Sequence, residues 1–340
     1  MKKNVKLLLA LVLAFALLLG VSSSALADLE VASVEAPEIE LEGSGPSAYI
    51  YSAQLYAAQD LTMTFFVRAS NINDATPVMS ITYVNGAQED LAGTYDASRD
   101  LYLFRVEKIG SQNMKDSFTL DVKHDGIVLD TKTYSIAQYL EALHNSTAAK
   151  LGLSASKYSA LQTLVADILE YGAAAQIYKN HNTSDLANSY SWVAGLKTNT
   201  AGLSAPASVQ SLSYETQSNA FKAAYLRLSG KVRIGFRFIA ADADTVTISD
   251  GVNSNTILVN TLSASSGVYT IFTDWLEIDA FDKTFTVTLT DGGSHTYSTL
   301  TYSVNSYLNR KWESDNDTLV ALVKALTAYN NSARAYAYAE

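Results

Sequence analysis

The chain has 340 residues, with 24 lysines and arginines against 34 aspartates and glutamates, a formal charge of −10 and no cysteine. That balance argues against nucleic acid or an anionic bilayer as partner, because both require clustered positive charge. Missing thiols exclude disulfides, thiolate metal sites, iron–sulfur clusters and a cysteine nucleophile.

Lys2, Lys3 and Lys6 precede an apolar run from Leu7 to Leu19, and Ala25-Leu26-Ala27 offers small residues for cleavage. Residues 1–27 are therefore expected to be a secretory signal peptide, which makes the mature protein secreted or extracellular, associated with a cell surface, and free of a membrane span. Residues 1–27 hold three lysines and no acid, so the charge without them moves from −10 to −13. Residues 28–45, acidic and ending Gly43-Ser44-Gly45, read as an extended spacer or a lone strand.

From there the sequence pattern appears twice. Leu61, Met63, Phe65, Val67 and Ala69 alternate with more polar neighbours, as do Val232, Ile234, Phe236, Phe238 and Ala240, the period of a strand with one buried face. Tyr102 to Val106 matches Tyr269 to Thr273, and Phe118-Thr119-Leu120 matches Phe285-Thr286-Val287. Asp125-Gly126 and Asp291-Gly292 follow as hairpin turns. Such runs give about seven short strands per unit, the number of a β-sandwich.

Each series of strands ends in one motif: Thr131-Lys132-Thr133-Tyr134-Ser135 and Thr299-Leu300-Thr301-Tyr302-Ser303. Ser135 and Ser303 read as helix N-caps, with Gln138 completing a capping box. Tyr134 with Tyr139, and Tyr302 with Tyr307, read as hydrophobic staples. A longer helix is expected next, capped by Ser156 or Ser314 and carrying an apolar stripe through Leu161, Leu164, Val165 and Ile168, matched by Leu319, Leu322, Val323 and Leu326. Small residues around Gly172 should let the first of these helices approach a neighbour closely. Asn330-Asn331-Ser332 in the second should make its approach looser or wetter.

The fold expected is mainly β with C-terminal helices in each unit, an α+β chain of two tandem Ig-like β-sandwich modules, each closed by a short helix and a longer helix. Module 1 spans residues 46–178 and module 2 spans 206–340. Residues 179–205 form a linker with a short helix at Asp185 to Leu196.

Chemistry is sparse. The four histidines show no metal-ligand spacing, and His124 and His295 fall near hairpin tips, where a solvated side chain is ordinary. No Gly-x-Ser-x-Gly or phosphate-binding glycine loop occurs. No catalytic residue, metal site or cofactor is expected. Asp274, Glu277 and Asp279 are the carboxylates a glycosidase could use, and Asp242, Asp244 and Asp250 beside Gly251 could hold calcium, but solvated surface acids are the simpler reading of both sets.

The aromatic content, 21 tyrosines and three tryptophans, is the positive functional signal, since exposed rings are platforms for sugars and protein partners. Trp192, Trp275 and Trp312 are the candidate ligand contacts. Trp275 stands out because the other copy has Lys108 in its place, so packing common to both does not require it.

The Thr-x-Thr-Tyr-Ser-x-x-x-Tyr-Leu pattern, followed by Tyr171-Gly172-Ala173-Ala174-Ala175-Gln176, resembles the repeated modules of secreted and cell-surface proteins from clostridial-type Gram-positive bacteria, most without an assigned role. The resemblance covers residues 46 to 340 and implies an extracellular, non-enzymatic, modular protein. The expected function is non-catalytic binding of a surface glycan, wall polymer or protein partner. A structural or assembly spacer is the first alternative, and an extracellular carbohydrate-active enzyme using paired carboxylates is the second.

Overall fold

The structure is a computed structural model that describes residues 30–35, 45–56, 61–72, 76–107, 109–196, 202–214, 220–228, 232–240, 242–278, 280–291 and 295–340. The expected signal peptide, Lys108, Asp279 and Gly292 lie outside these residues. The protein is mainly β with a smaller set of helices, an α+β chain.

In the first half, β1 (Glu30–Glu35), β2 (Ser47–Tyr56), β3 (Thr62–Ser70), β6 (Thr94–Asp96) and β7 (Leu101–Val106) form one sheet in the order β1-β2-β3-β7-β6. A second sheet runs β5-β4-β8-β9, from β4 (Val78–Tyr83), β5 (Gln88–Ala92), β8 (Phe118–His124) and β9 (Ile127–Tyr134). Because β1 pairs antiparallel with β2, part of the expected spacer is an edge strand of the first sheet.

The second half holds β10 (Ser211–Tyr214), β11 (Phe221–Leu228), β12 (Val232–Phe238), β13 (Thr245–Ser249), β14 (Ser254–Leu258), β15 (Tyr269–Phe272), β16 (Phe285–Thr290) and β17 (Thr296–Tyr302). They form the sheets β11-β12-β15 and β10-β17-β16-β13-β14. Among the described residues the first half thus holds nine strands and the second eight, against about seven expected in each, β1 and short pieces such as β6 and β10 accounting for the difference.

Strand register agrees between the halves. Ala53 and Phe104 flank Phe65 as Ala224 and Ile271 flank Phe236. Phe118 pairs with Tyr134 as Phe285 pairs with Tyr302. Alternation turns the larger apolar residues inward, where the sheets meet. The Phe65 ring lies 6.1 Å from Phe118 and 5.3 Å from Tyr134, both edge-on, and Phe236 lies 6.4 Å from Tyr302. Each such ring, fully buried, contributes about 1.5–3 kcal/mol.

His124 corrects an expectation. It is buried, the last inward residue of β8 after Phe118, Leu120 and Val122, because strand alternation reaches it before the turn begins. The turn itself is Asp125-Gly126, both with positive φ, as a tight hairpin requires.

Helices α1 (Ile136–Asn145), α2 (Ala148–Leu151), α3 (Ala155–Lys179) and α4 (Ser191–Leu196) follow in the first half, and α5 (Val304–Lys311) and α6 (Asp317–Ala337) in the second. Ser135 Oγ accepts from the Gln138 amide at 3.1 Å, and Ser303 Oγ from the Ser306 amide at 3.1 Å. Both expected caps therefore form. Gln138 is exposed, while Tyr139 is buried and Tyr134 packs on Phe65. Ser135→Ala should cost about 1 kcal/mol in urea unfolding.

The long helices begin elsewhere than expected. Ser154, not Ser156, caps α3 by accepting from Lys157 N at 3.2 Å, since Gly152 in the left-handed region ends α2 and frees the chain to restart at once. Asn316, not Ser314, caps α6, its Oδ1 accepting from Leu319 N at 3.0 Å.

Residues 181–196, placed in the expected linker, are tied to α3. The buried Gln176 amide donates to Asn182 O at 3.3 Å and Asp185 O at 3.0 Å, and its Oε1 accepts from Ala187 N at 2.7 Å. One turn back, a Cβ on Gly172 would stand 3.1 Å from the Ala187 Cβ and 2.5 Å from Met114 Sδ. Gly172 and Gln176, four residues apart on one helix face, thus make the seat for Ala187. The expected helix from Asp185 shortens to α4, with turns before it.

The equivalent stretch of α6 is not looser. Asn330 and Ser332 are buried, and Asn330 Nδ2 donates to Ile278 O. Helices α3 and α6 pack against each other, with Tyr171 and Tyr329 rings 5.7 Å apart. A cavity of about 120 Å³ beside this joint is lined in part by Tyr171, Tyr178, Leu228, Tyr307 and Leu322.

Candidate functional site

The sheet β11-β12-β15 has an inner face built from Ala224, Ile234, Phe236, Phe238 and Ile271. Its other face carries the intervening residues: Tyr225 and Arg227 on β11, Arg233, Gly235 and Arg237 on β12, and Phe272 on β15. Arg227 and Arg237 are exposed; Tyr225, Arg233 and Phe272 are half-buried.

Register sets the contacts. Gly235 has Tyr225 on one side and Phe272 on the other, and a Cβ there would come within 2.6 Å of the first ring and 2.9 Å of the second. Glycine therefore lets both rings close over the strand, 6.1 Å apart at 81°. Beyond β15 the chain is fixed by Ile234 N donating to Thr273 Oγ1 at 3.1 Å, Thr273 N to Ile234 O at 3.0 Å and Leu276 N to Val232 O at 2.8 Å. Between these anchors stands Trp275, half-buried.

Arg233 lies between two rings, its guanidinium carbon 4.0 Å from the Phe272 centroid and 4.2 Å from Trp275. Arg227 is 5.9 Å from Phe272. Such contacts hold a cation over a ring face. Among the described residues, Arg227, Arg233 and Arg237 form no ion pair. Burial, and then the neighbouring Arg227 charge, push the Arg233 guanidinium below its usual value, yet a guanidinium stays charged at any physiological pH. The arrangement can stack a sugar ring and pair an anion.

The corresponding face of the first half differs. Thr64 and Phe66 are buried there, and Arg105 stands opposite Thr64 where Phe272 stands opposite Gly235.

The other two tryptophans are packed against the core. Trp192, in α4, stacks on His144 at 3.9 Å and 8°, with Tyr190 at 5.7 Å. Trp312 ends α5, with Lys324 Nζ 5.6 Å from its ring. The three expected ligand residues thus divide into two that pack against the core and one, Trp275, that stands beside Arg233 at the outer face of the β11-β12-β15 sheet. Tyr302 and Tyr307 flank Arg310, which also donates from Nη2 to Ala224 O at 2.8 Å and so ties α5 to β11.

Of the carboxylates, Asp274 is exposed and Glu277 half-buried. Asp250 is held well below the usual carboxylate range by Lys283 at 2.7 Å and by the amides of Asn253 and Val252, so its oxygens already serve a turn. Among the described residues no group of three or more His, Asp or Glu could hold a metal, and no helix is long and apolar enough to cross a membrane.

Sequence reasoning did not single out Arg227, Arg233, Arg237, Tyr225, Gly235 or Phe272. Their signal was the outward series Arg233, Gly235, Arg237 inside an apolar alternation, where the first half has Thr62, Thr64 and Phe66. Comparison of the chain with known protein families, characterised proteins and solved structures finds no match.

Proposed function

We propose that this is a secreted, non-catalytic modular protein, two tandem Ig-like β-sandwich units of which the second binds a cell-surface glycan on the Trp275 face. One observation carries the reading: a half-buried arginine held between Phe272 and Trp275 on an otherwise open sheet face. Duplication is supported by the shared register and by the paired helix-entry caps at Ser135 and Ser303. Secretion rests on the basic, apolar and small-residue order of residues 1–27.

An open ring face suits a sugar because C–H surfaces pack on it while hydroxyls stay in water. A second reading, a structural spacer, draws on the packing of α3 against α6, which joins the halves without needing a ligand. Retention of the protein on bacterial wall polysaccharide separates them. Trp275→Ala should reduce retention at least tenfold while costing only about 1 kcal/mol in urea unfolding, the worth of its contact with Arg233. Unchanged retention would remove this face from the function, and retention of neither protein would favour the spacer.

A further inference from the structure

The three strands β11, β12 and β15 contain no aspartate or glutamate, although the whole chain carries ten more acids than bases. Arg227 and Arg233 are direct cross-strand partners. Like charges placed opposite each other destabilise a sheet, and here no described carboxylate relieves them. Arg233 is further confined by its two rings, and its buried Nε has no hydrogen-bond partner. Arg237 adds a third charge two residues past Gly235 on the same strand face.

An anion seated between Arg227 and Arg233 would remove this repulsion, because a guanidinium fork matches a carboxylate or phosphate with two parallel hydrogen bonds. Trp275 and Phe272 beside that seat would take the ring to which the anion is attached. We infer that the ligand of this face is an anionic glycan, a polymer of sugars bearing carboxylate or phosphate groups, whose charge pairs with Arg227 and Arg233 while its ring stacks on Trp275. The inference rests on the glycan reading above and specifies the chemistry of the same face.

Charge complementarity selects this occupant. A neutral glycan would leave the facing arginines unrelieved, and a second copy of this acidic chain would have to bring its carboxylates to one narrow strip.

The test uses affinity gel electrophoresis of the mature chain through polygalacturonate, through a phosphorylated mannan and through neutral xylan, at low and high salt. Polygalacturonate, the phosphorylated mannan or both should retard the wild type. Which of them does so distinguishes a carboxylate source from a phosphate source. Arg233→Gln and Arg227→Gln should each lower retardation at least tenfold, Arg233→Lys should recover only part of it, and Arg105→Gln, in the first half, should change nothing. Salt should weaken binding, as screening of an exposed pair requires. Arg227 is exposed, so Arg227→Gln should fold normally, with a urea midpoint equal to or above wild type.

Equal retardation by xylan, untouched by the arginine variants, would overturn the anionic specificity and leave glycan binding standing. Absence of retardation in all three gels would overturn both. Self-association in sedimentation that Arg233→Gln abolishes would assign the face to a second copy and likewise end the inference.

Discussion

Replacing Gln176 by Ala should cost about 3 kcal/mol of stability, because three hydrogen bonds worth about 1 kcal/mol each go together and the Ala187 amide is left buried without an acceptor. Helix α3 would survive the change, since its own ladder and apolar stripe do not depend on this side chain. The loss would fall on residues 181–196, whose attachment to α3 runs largely through Gln176 and the Gly172 seat, with a further side-chain bond from Asn188 Nδ2 to Glu170 Oε2 at 2.8 Å. Urea unfolding gives the magnitude. Amide hydrogen exchange gives the location: protection should drop across 181–196 and persist in 161–175. Uniform loss of protection in both stretches would mean that the segment and the helix open as one unit, and the seat would then have no separate role. Gly172→Leu tests the other half of the seat, driving side-chain atoms into Met114 and Ala187, with a loss of about 1–3 kcal/mol from overpacking.

How much of this was legible in the sequence follows from the range of the interactions involved. The inward series around Phe65 and Phe236 and the serine caps at 135 and 303 are set by neighbours within a few residues, and both form, although Thr64 and Phe66 on the other face of β3 are buried as well, so that strand does not have the single buried face expected of it. Ser156 lost to Ser154 and Ser314 to Asn316, because neighbouring serines and asparagines compete for the cap on nearly equal terms. Which one wins depends on where the preceding turn stops, as at Gly152. His124 was misplaced through reading the turn and not the alternation that runs into it.

Contacts distant in sequence were not readable. Gly172 and Gln176 advertise a close approach and a buried polar group, but nothing local names Ala187 as what they receive. The candidate face required both alternation and register. Arg227 and Arg233 are six residues apart, and only the hairpin between β11 and β12 makes them opposite. Trp275 was found from its lack of a counterpart, whereas Trp192 and Trp312, equally prominent by residue type, pack against the core. Residue type marks a ring as capable of binding; the surrounding sheet decides whether the ring is free to do so.

Stability should fall steeply above about pH 10, and the joint between the halves should account for much of that fall. Tyr171 and Tyr329 are buried and face each other across α3 and α6. Burial pushes both hydroxyls above the ordinary tyrosine value; Tyr171 adds to the rise at Tyr329, and a hydrogen bond with Ser111 partly offsets it at Tyr171. A tyrosine in the unfolded chain ionises near pH 10. Below that value both states hold the proton and stability is unaffected. Above it the unfolded chain releases protons that the folded chain keeps, so stability declines until the folded values are reached. An unfolded tyrosine is half ionised at pH 10 and about nine-tenths ionised at pH 11, so a group kept protonated in the fold, as Tyr329 is, contributes about 1 kcal/mol over that unit and approaches about 1.4 kcal/mol per unit beyond it, a noticeable part of the 5–15 kcal/mol typical of a domain; Tyr171 adds in the same direction. Tyr134, Tyr302 and Tyr307, also raised by burial, add in the same direction. Urea midpoints at pH 9, 10 and 11 measure the slope. Tyr329→Phe, which removes one ionisable group from the joint, should reduce the fall between pH 10 and 11 by about 1 kcal/mol. Parallel decline in wild type and variant would show that Tyr329 ionises as readily in the fold as in water, and that the joint of α3 and α6 is open to solvent at high pH.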